Sequence, residues 1–131
     1  MEPDLSGDTS NGDQLSEFEK GLILGLLIGE GHFGGDGKQP QITLKMHVRH
    51  ERLLRWVHNR TRWTHLYGPY HHADRHYMQL MMRGPALRFG IGPMLYSLPW
   101  EQIDDHSYGR FIAMLKKYHL LDEVVSRGSL P

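Results

Sequence analysis

The 131-residue sequence predicts an α+β domain: a four-stranded antiparallel sheet, polar on one face and covered by helices on the other. The alternation of Gln39–Arg49 is the first sign. Gln39, Gln41, Thr43, Lys45, His47 and Arg49 fall on one side, and Pro40, Ile42, Leu44, Met46 and Val48 on the other. A period of two marks a strand buried on one face. Arg75–Arg83 repeats the pattern, with Tyr77, Gln79, Met81 and Arg83 opposite Met78, Leu80 and Met82. Apolar residues at helical spacing stand before, between and after these strands.

Taken in order, Met1–Gln14 is acidic and polar with almost nothing apolar, so a disordered tail is expected over residues 1–15 and one folded domain over 16–131. The tail does not read as a secretory signal. Ser16-Glu-Phe-Glu19 has the pattern of a capping box and starts a helix that runs through Gly21, Gly25 and Gly29 to Glu30. Gly34–Gly37 reads as a hairpin turn into the Gln39–Arg49 strand. His50–His58 reads as a short helix whose buried stripe is Leu53, Leu54 and Val57. Trp63–Tyr70 and Arg75–Arg83 form a second hairpin across Pro69–Asp74. Gly84-Pro85 begins a helix, since proline suits the first helical position, with Leu87, Ile91, Met94 and Leu95 inward. A last helix over Ser107–Leu121 buries Phe111, Ile112, Leu115 and Tyr118. The expected order is therefore αββαββαα.

Composition narrows the function classes. The chain has no cysteine, which rules out disulfides and thiolate metal sites. Its formal net charge is zero, yet the charge is segregated. Residues 1–35 carry one lysine against seven acids, while residues 36–88 carry ten Lys/Arg against three acids and seven of the ten histidines. Such a basic middle segment suits a polyanion. The apolar run near residue 25 falls far short of the roughly 18–20 residues a membrane span needs, so no membrane partner is expected.

The most informative segment is Ile23-Leu-Gly-Leu-Leu-Ile-Gly-Glu-Gly31. Gly21, Gly25 and Gly29 recur every four residues and line one helix face, where missing side chains let a second helix approach backbone to backbone. The segment resembles the signature of the LAGLIDADG homing endonucleases: Gly25 matches its glycine, Leu26-Leu27 its apolar pair, Glu30 its terminal acid and Gly31 its last glycine. Ile28 stands where the family has an internal Asp that is not a metal ligand, and Glu30 replaces Asp. The likeness in element order extends over about residues 16–120.

The resemblance implies an αββαββα fold with a four-stranded antiparallel saddle sheet, and a homodimer paired through Gly21, Gly25 and Gly29. It implies metal binding by the Glu30 carboxylate and the Gly29 carbonyl, with Mg²⁺ (or Mn²⁺) as cofactor. Arg83 falls where family members carry a basic residue, often Lys, at the end of the last strand, and Arg49 or Arg52 falls near the second helix. These arginines can stabilise charge but not transfer protons. On a sheet following the major groove, Gln39, Gln41, Thr43, Lys45, His47, Arg75, Tyr77 and Gln79 become contacts to bases or phosphates, since side chains on one strand face repeat about every 7 Å. His71, His72 and His76 read as solvated turn residues rather than a zinc site, and His32 as a neighbour of the metal.

The expected function is site-specific cleavage of double-stranded DNA at a near-palindromic site by a metal-dependent endonuclease, of the kind that serves intron homing. The alternative is a binding module of the same fold, a maturase or regulator that no longer cleaves.

Overall fold

Four antiparallel strands in the spatial order β1-β2-β4-β3 organise the molecule, and a computed structural model describes residues 15–129 of it. The elements are α1 (Glu17–Glu30), β1 (Gly31–Gly35), β2 (Pro40–His47), α2 (Glu51–Thr61), β3 (His65–His72), β4 (Arg75–Arg83), α3 (Ile91–Tyr96), α4 (Trp100–Ile103), α5 (Asp105–Lys117) and α6 (Leu121–Gly128). The α+β class and the antiparallel four-stranded sheet are as the sequence predicts. No helix among the described residues is long and apolar enough to cross a membrane.

α1 forms because its start is closed twice. The Ser16 hydroxyl accepts the Glu19 backbone N–H at 3.1 Å, and the Glu19 carboxylate accepts the Ser16 N–H at 2.8 Å. The second carboxylate oxygen of Glu19 accepts from Arg60 Nε at 2.6 Å, which ties α1 to the end of α2. Ile23, Leu24 and Leu27 then bury the inner face of α1 against the sheet and α3. At the far end, Gly31 is already extended, with φ −74° and ψ 144°. A Cβ there would stand 2.5 Å from the Leu27 carbonyl oxygen, so helix passes into strand only through glycine.

The sheet buries alternate residues. Ile42 and Leu44 of β2 and Met78, Leu80 and Met82 of β4 are fully buried in one core with residues of α1, α3, α5 and α6. Gln41, Thr43, Lys45, Tyr77, Gln79 and Arg83 remain half-buried or exposed on the other face. Phe33 of β1 joins the core through Trp100 and Phe111, with ring centroids 5.7 and 6.5 Å away. Trp100 Nε1 donates to Ser107 Oγ at 2.8 Å, so this large ring is buried without an orphaned donor.

Several boundaries differ from the sequence expectation. The first turn is Asp36–Gln39, not Gly34–Gly37: Asp36 Oδ1 accepts the N–H groups of Lys38 and Gln39, both at 2.8 Å, and this Asx turn outcompetes the glycine run. β2 stops at His47 because the His47 ring accepts the Arg49 N–H at 3.0 Å and turns the chain into a short 3₁₀ segment, Val48–His50. The second hairpin turns at Ala73-Asp74. Pro69 lies inside β3, where Gly68 and Pro69 shift the register between Tyr67 and Tyr70. β3 is an edge strand, so the missing proline N–H leaves no ladder bond unmade. After β4 the chain forms a π turn, Ala86–Gly90, and four helices rather than two. Leu15, expected in the tail, is buried in the core, while residues 1–14 lie outside the described residues.

The latch between α1 and α2 makes a pH prediction. Burial alone would raise the Glu19 pKa, but Arg60 and the Ser16 N–H together hold it below its ordinary value. A carboxyl with a lowered folded pKa contributes stability above its unfolded pKa and loses it as pH falls through the folded one. Glu19→Gln should therefore lower the melting temperature at pH 7 by the equivalent of about 1–3 kcal/mol. The gap between wild type and variant should shrink below about pH 4. Thermal denaturation followed by circular dichroism from pH 3 to 7 checks both.

Candidate nucleic-acid interface and metal-binding carboxylate

The sheet registers define the outer face row by row. Gly34, Gln41 and Arg83 form one row; His32, Thr43, Met81 and His65 the next; then Lys45, Gln79 and Tyr67; then His47, Tyr77 and Tyr70. The four strands contain no Asp or Glu, while they carry Lys45, Arg75, Arg83 and six histidines. Its outward residues include Lys45, Arg75, Arg83 and four of those histidines with no acid among them, a charge pattern that suits a polyanion.

Aromatic rings support the cations. Lys45 Nζ stands 4.9 Å from the Tyr77 ring centroid and the Arg75 guanidinium 5.8 Å from the same ring. Tyr70 packs on Tyr77 with centroids 5.3 Å apart. Arg83 Nη2 donates to the Tyr67 hydroxyl at 3.2 Å, and His65 stacks on the Tyr67 ring at 6.3 Å. The middle of this face is not wholly polar: Met81 is only 9% exposed and accepts a contact from Gln79 Nε2 at 3.2 Å.

Of the residues assigned to this surface from sequence, Gln41, Thr43, Lys45, His47, Arg75, Tyr77 and Gln79 stand on the strands that form it. Gln39 does not: it belongs to the turn, half-buried beside Gly84 with Lys38 and Arg88 around it. His65, Tyr67 and Tyr70 fall in the expected strand Trp63–Tyr70 but not among the residues assigned to this surface from sequence, because Gly68-Pro69 breaks the two-residue alternation there. The alternation of His65 and Tyr67 about Leu66, with aromatic Tyr70 following the proline, is the signal that finds them.

Glu30 is exposed at the last position of α1, and the next residue, Gly31, pairs with Leu44. β2 runs on three residues from Leu44 to His47, and exposed Arg49 follows in the 3₁₀ segment. Arg52 lies on the exposed side of α2 with Glu51, Arg55, Trp56 and Asn59. Arg83 pairs with Gln41, three residues from Leu44 and toward the opposite end of the sheet, about 10 Å along the strand. Glu30 and Arg83 therefore occupy different rows, and the Arg83 guanidinium is engaged by Tyr67.

α1 presents the face that leads to Glu30. Among the described residues, nothing lies within 4 Å of where a Cβ on Gly21, Gly25 or Gly29 would stand. Phe18, at the start of the same face, is 72% exposed. Among the described residues no three His, Cys, Asp or Glu come together as a metal cage, so one chain offers a hard cation the Glu30 carboxylate and the adjacent backbone carbonyl of Gly29. Both are oxygen donors, which suits Mg²⁺ or Mn²⁺, but they make only part of a coordination shell.

Compared with known proteins, the chain matches no family model and no curated sequence.

His47 gives this end of the face a measurable titration. Burial first, then the positive charges of Arg49, His76 and His50, depress its pKa below the ordinary value of 6.5. An NMR titration of the ring protons should place its midpoint below 6.5. Arg49→Ala removes one of the repelling charges and should move the midpoint upward.

Proposed function

We propose that this chain is one half of a site-specific, metal-dependent endonuclease for double-stranded DNA, of the LAGLIDADG type, acting as a homodimer. The observation that carries the reading is the joining of two surfaces at one point. A carboxylate-free, cation-bearing sheet face adjoins the end of α1, a helix whose glycine face is open and whose last residue is Glu30. Pairing two copies of α1 along Gly21, Gly25 and Gly29 brings two Glu30 carboxylates to one seam. A two-fold contact of this kind matches a near-palindromic DNA site.

The residues then divide the work. Gln41, Thr43, Lys45, Arg75, Tyr77 and Gln79 bind the duplex, the cations to phosphate and the amides to base edges. Glu30 and the Gly29 carbonyl hold Mg²⁺ or Mn²⁺, which supplies charge neutralisation and an activated water when bound. Arg49 or Arg52 stabilises developing negative charge, since a guanidinium stays protonated. A second reading, a DNA- or RNA-binding module that does not cut, is favoured by Arg83, whose row and Tyr67 partner keep it from Glu30.

Selection of cut products from a randomised DNA library with Mg²⁺, followed by gel shift with Ca²⁺, separates the two readings. Glu30→Gln keeps shape and removes charge, so cleavage should fall by about a hundredfold or more while binding survives or tightens. Full cutting by the Gln variant overturns the metal role. A wild type that binds one site and never cuts leaves the binding module.

Pairing through α1 is tested on its own terms. Gly25→Leu meets open space among the described residues, so the folded monomer should persist and even gain about 1 kcal/mol of helix propensity. The dimer should be lost, because the leucines hold the two backbones apart. Sedimentation at micromolar concentration reads the difference, and a wild type that is monomeric both free and on DNA overturns the pairing.

A further inference from the structure

The tip of the β3–β4 hairpin carries a side-chain pair that the proposed DNA chemistry does not use. Its turn holds two residues, Ala73 and Asp74, with Ala73 at φ 57°. Around a two-residue turn the flanking pair, His72 and Arg75, is the hydrogen-bonded one. The next pair, His71 and His76, is then of the non-hydrogen-bonded kind, in which opposite side chains stand closest. The two imidazoles meet there, with Nδ1 of His71 2.7 Å from Nδ1 of His76 and ring centroids 4.9 Å apart. One Nδ1 carries the proton and the other accepts it.

We infer that His71 and His76 form a two-ligand site for a divalent transition metal of the imidazole-preferring class, Cu²⁺, Ni²⁺ or Zn²⁺. The inference does not rest on the endonuclease reading. The shared proton moves through solvent to the outer nitrogen, Nε2, of its own ring, and both Nδ1 lone pairs then face the metal. No net proton is lost when both rings are neutral.

The spacing selects among metals. Metal–nitrogen bonds of about 2.0–2.1 Å put two ligands about 2.9 Å apart at a right angle and about 3.3 Å apart in a tetrahedron. The observed 2.7 Å needs only a small opening for the right-angled geometry of Cu²⁺ or Ni²⁺ and a larger one for Zn²⁺. Cu²⁺ should bind tightest, as its place in the affinity order of divalent metals also requires.

His71 and His76 are the two imidazole donors already brought together. The His47 ring lies 6.4 Å from that of His76, but its Nδ1 already accepts from the Arg49 backbone N–H at 3.0 Å and from Arg49 Nε at 3.3 Å. His72 and Arg75 belong to the adjoining pair, and Asp74 to the turn. Water fills the remaining positions. Arg75 and Arg49 repel a dication while Asp74 attracts it, and at this exposed tip salt screens all three. His71, His72, Arg75 and Arg49 are exposed, so the metal has an open path.

The test is a CuCl₂ titration of the full chain at pH 7.5, read by NMR of the histidine rings and by calorimetry. Substoichiometric Cu²⁺ should broaden the His71 and His76 ring signals before those of the other histidines, and a chelator should restore them. His71→Gln and His76→Gln should each weaken the strongest site about tenfold or more, that is by about 1.4 kcal/mol or more. His47→Gln should leave it in place. Both substitutions fall at the hairpin tip, so circular dichroism should show the fold retained. Acidification to pH 5 should release the metal, because both nitrogens must be unprotonated to bind it. Simultaneous broadening of all histidines, or an unchanged strongest site in both Gln variants, overturns the inference.

Discussion

Between Glu30 and Phe33 the chain passes from helix to strand with no loop, and Gly31 is both the cap of α1 and the first residue of β1. Because Gly31 pairs with Leu44, the end of α1 is set against a defined row of the sheet. A loop at this point would let the helix rotate about its own axis. Instead, the burial of Ile23 and Leu27 fixes which way α1 faces, and the Glu19–Arg60 latch holds its other end. The acid, the open glycine face and the polar sheet face thus share one rigid frame. The Cβ that Gly31 lacks would meet the Leu27 carbonyl, so the frame depends on a residue with no side chain.

The sheet separates two chemistries by strand parity alone. Inward Ile42, Leu44, Met78, Leu80 and Met82 carry the core; outward residues, Met81 apart, carry hydrogen-bonding groups and cations. A formally neutral protein thereby keeps a cation-bearing face, since among the described residues its acids lie on helices and turns rather than on strands. Tyrosines spread beneath Lys45, Arg75 and Arg83 hold those cations in place through their rings and the Tyr67 hydroxyl. Pre-positioned cations lose less side-chain entropy when they meet an anion than free ones do.

Elements governed by local physics could be read from the sequence. The capping box of Ser16 and Glu19, the alternation of β2 and β4, and the buried stripe of α2 all depend on residues a few positions apart. Boundaries set by competition could not. Asp36 captured a turn that four neighbouring positions rich in glycine also favoured, and His47 ended a strand whose alternation continued through Arg49. Pro69 sits in β3 only because that strand is at the edge, a fact of topology rather than of sequence. α4 and α6 are short, and α6 has no side-chain cap, so neither leaves a strong periodic trace. At the site, Glu30 stood out as the last residue of a helix, whereas the distance of Arg83 from it follows from strand register, which no spacing along the chain reveals.

α1 is also where the chain most openly departs from what favours a stable helix. Glycine at positions 21, 25 and 29 costs about 1 kcal/mol each against alanine, and alanine would fit at all three. Glu30 places a negative charge at the negative end of the helix dipole, and the last turn holds no basic residue to offset it. Phe18 exposes most of a large ring at the other end. Phe18, Gly21, Gly25 and Gly29 lie at spacings of three and four residues, on a side of α1 that meets nothing among the described residues, and Glu30 ends the helix one residue after Gly29. Scattered over the surface they would be unremarked; gathered on one helix, they are unfavourable choices for an isolated molecule. Each becomes favourable when a second helix covers the face and a cation meets the acid. Close approach then needs the glycines, the ring gains a partner, and the charge gains its counterion.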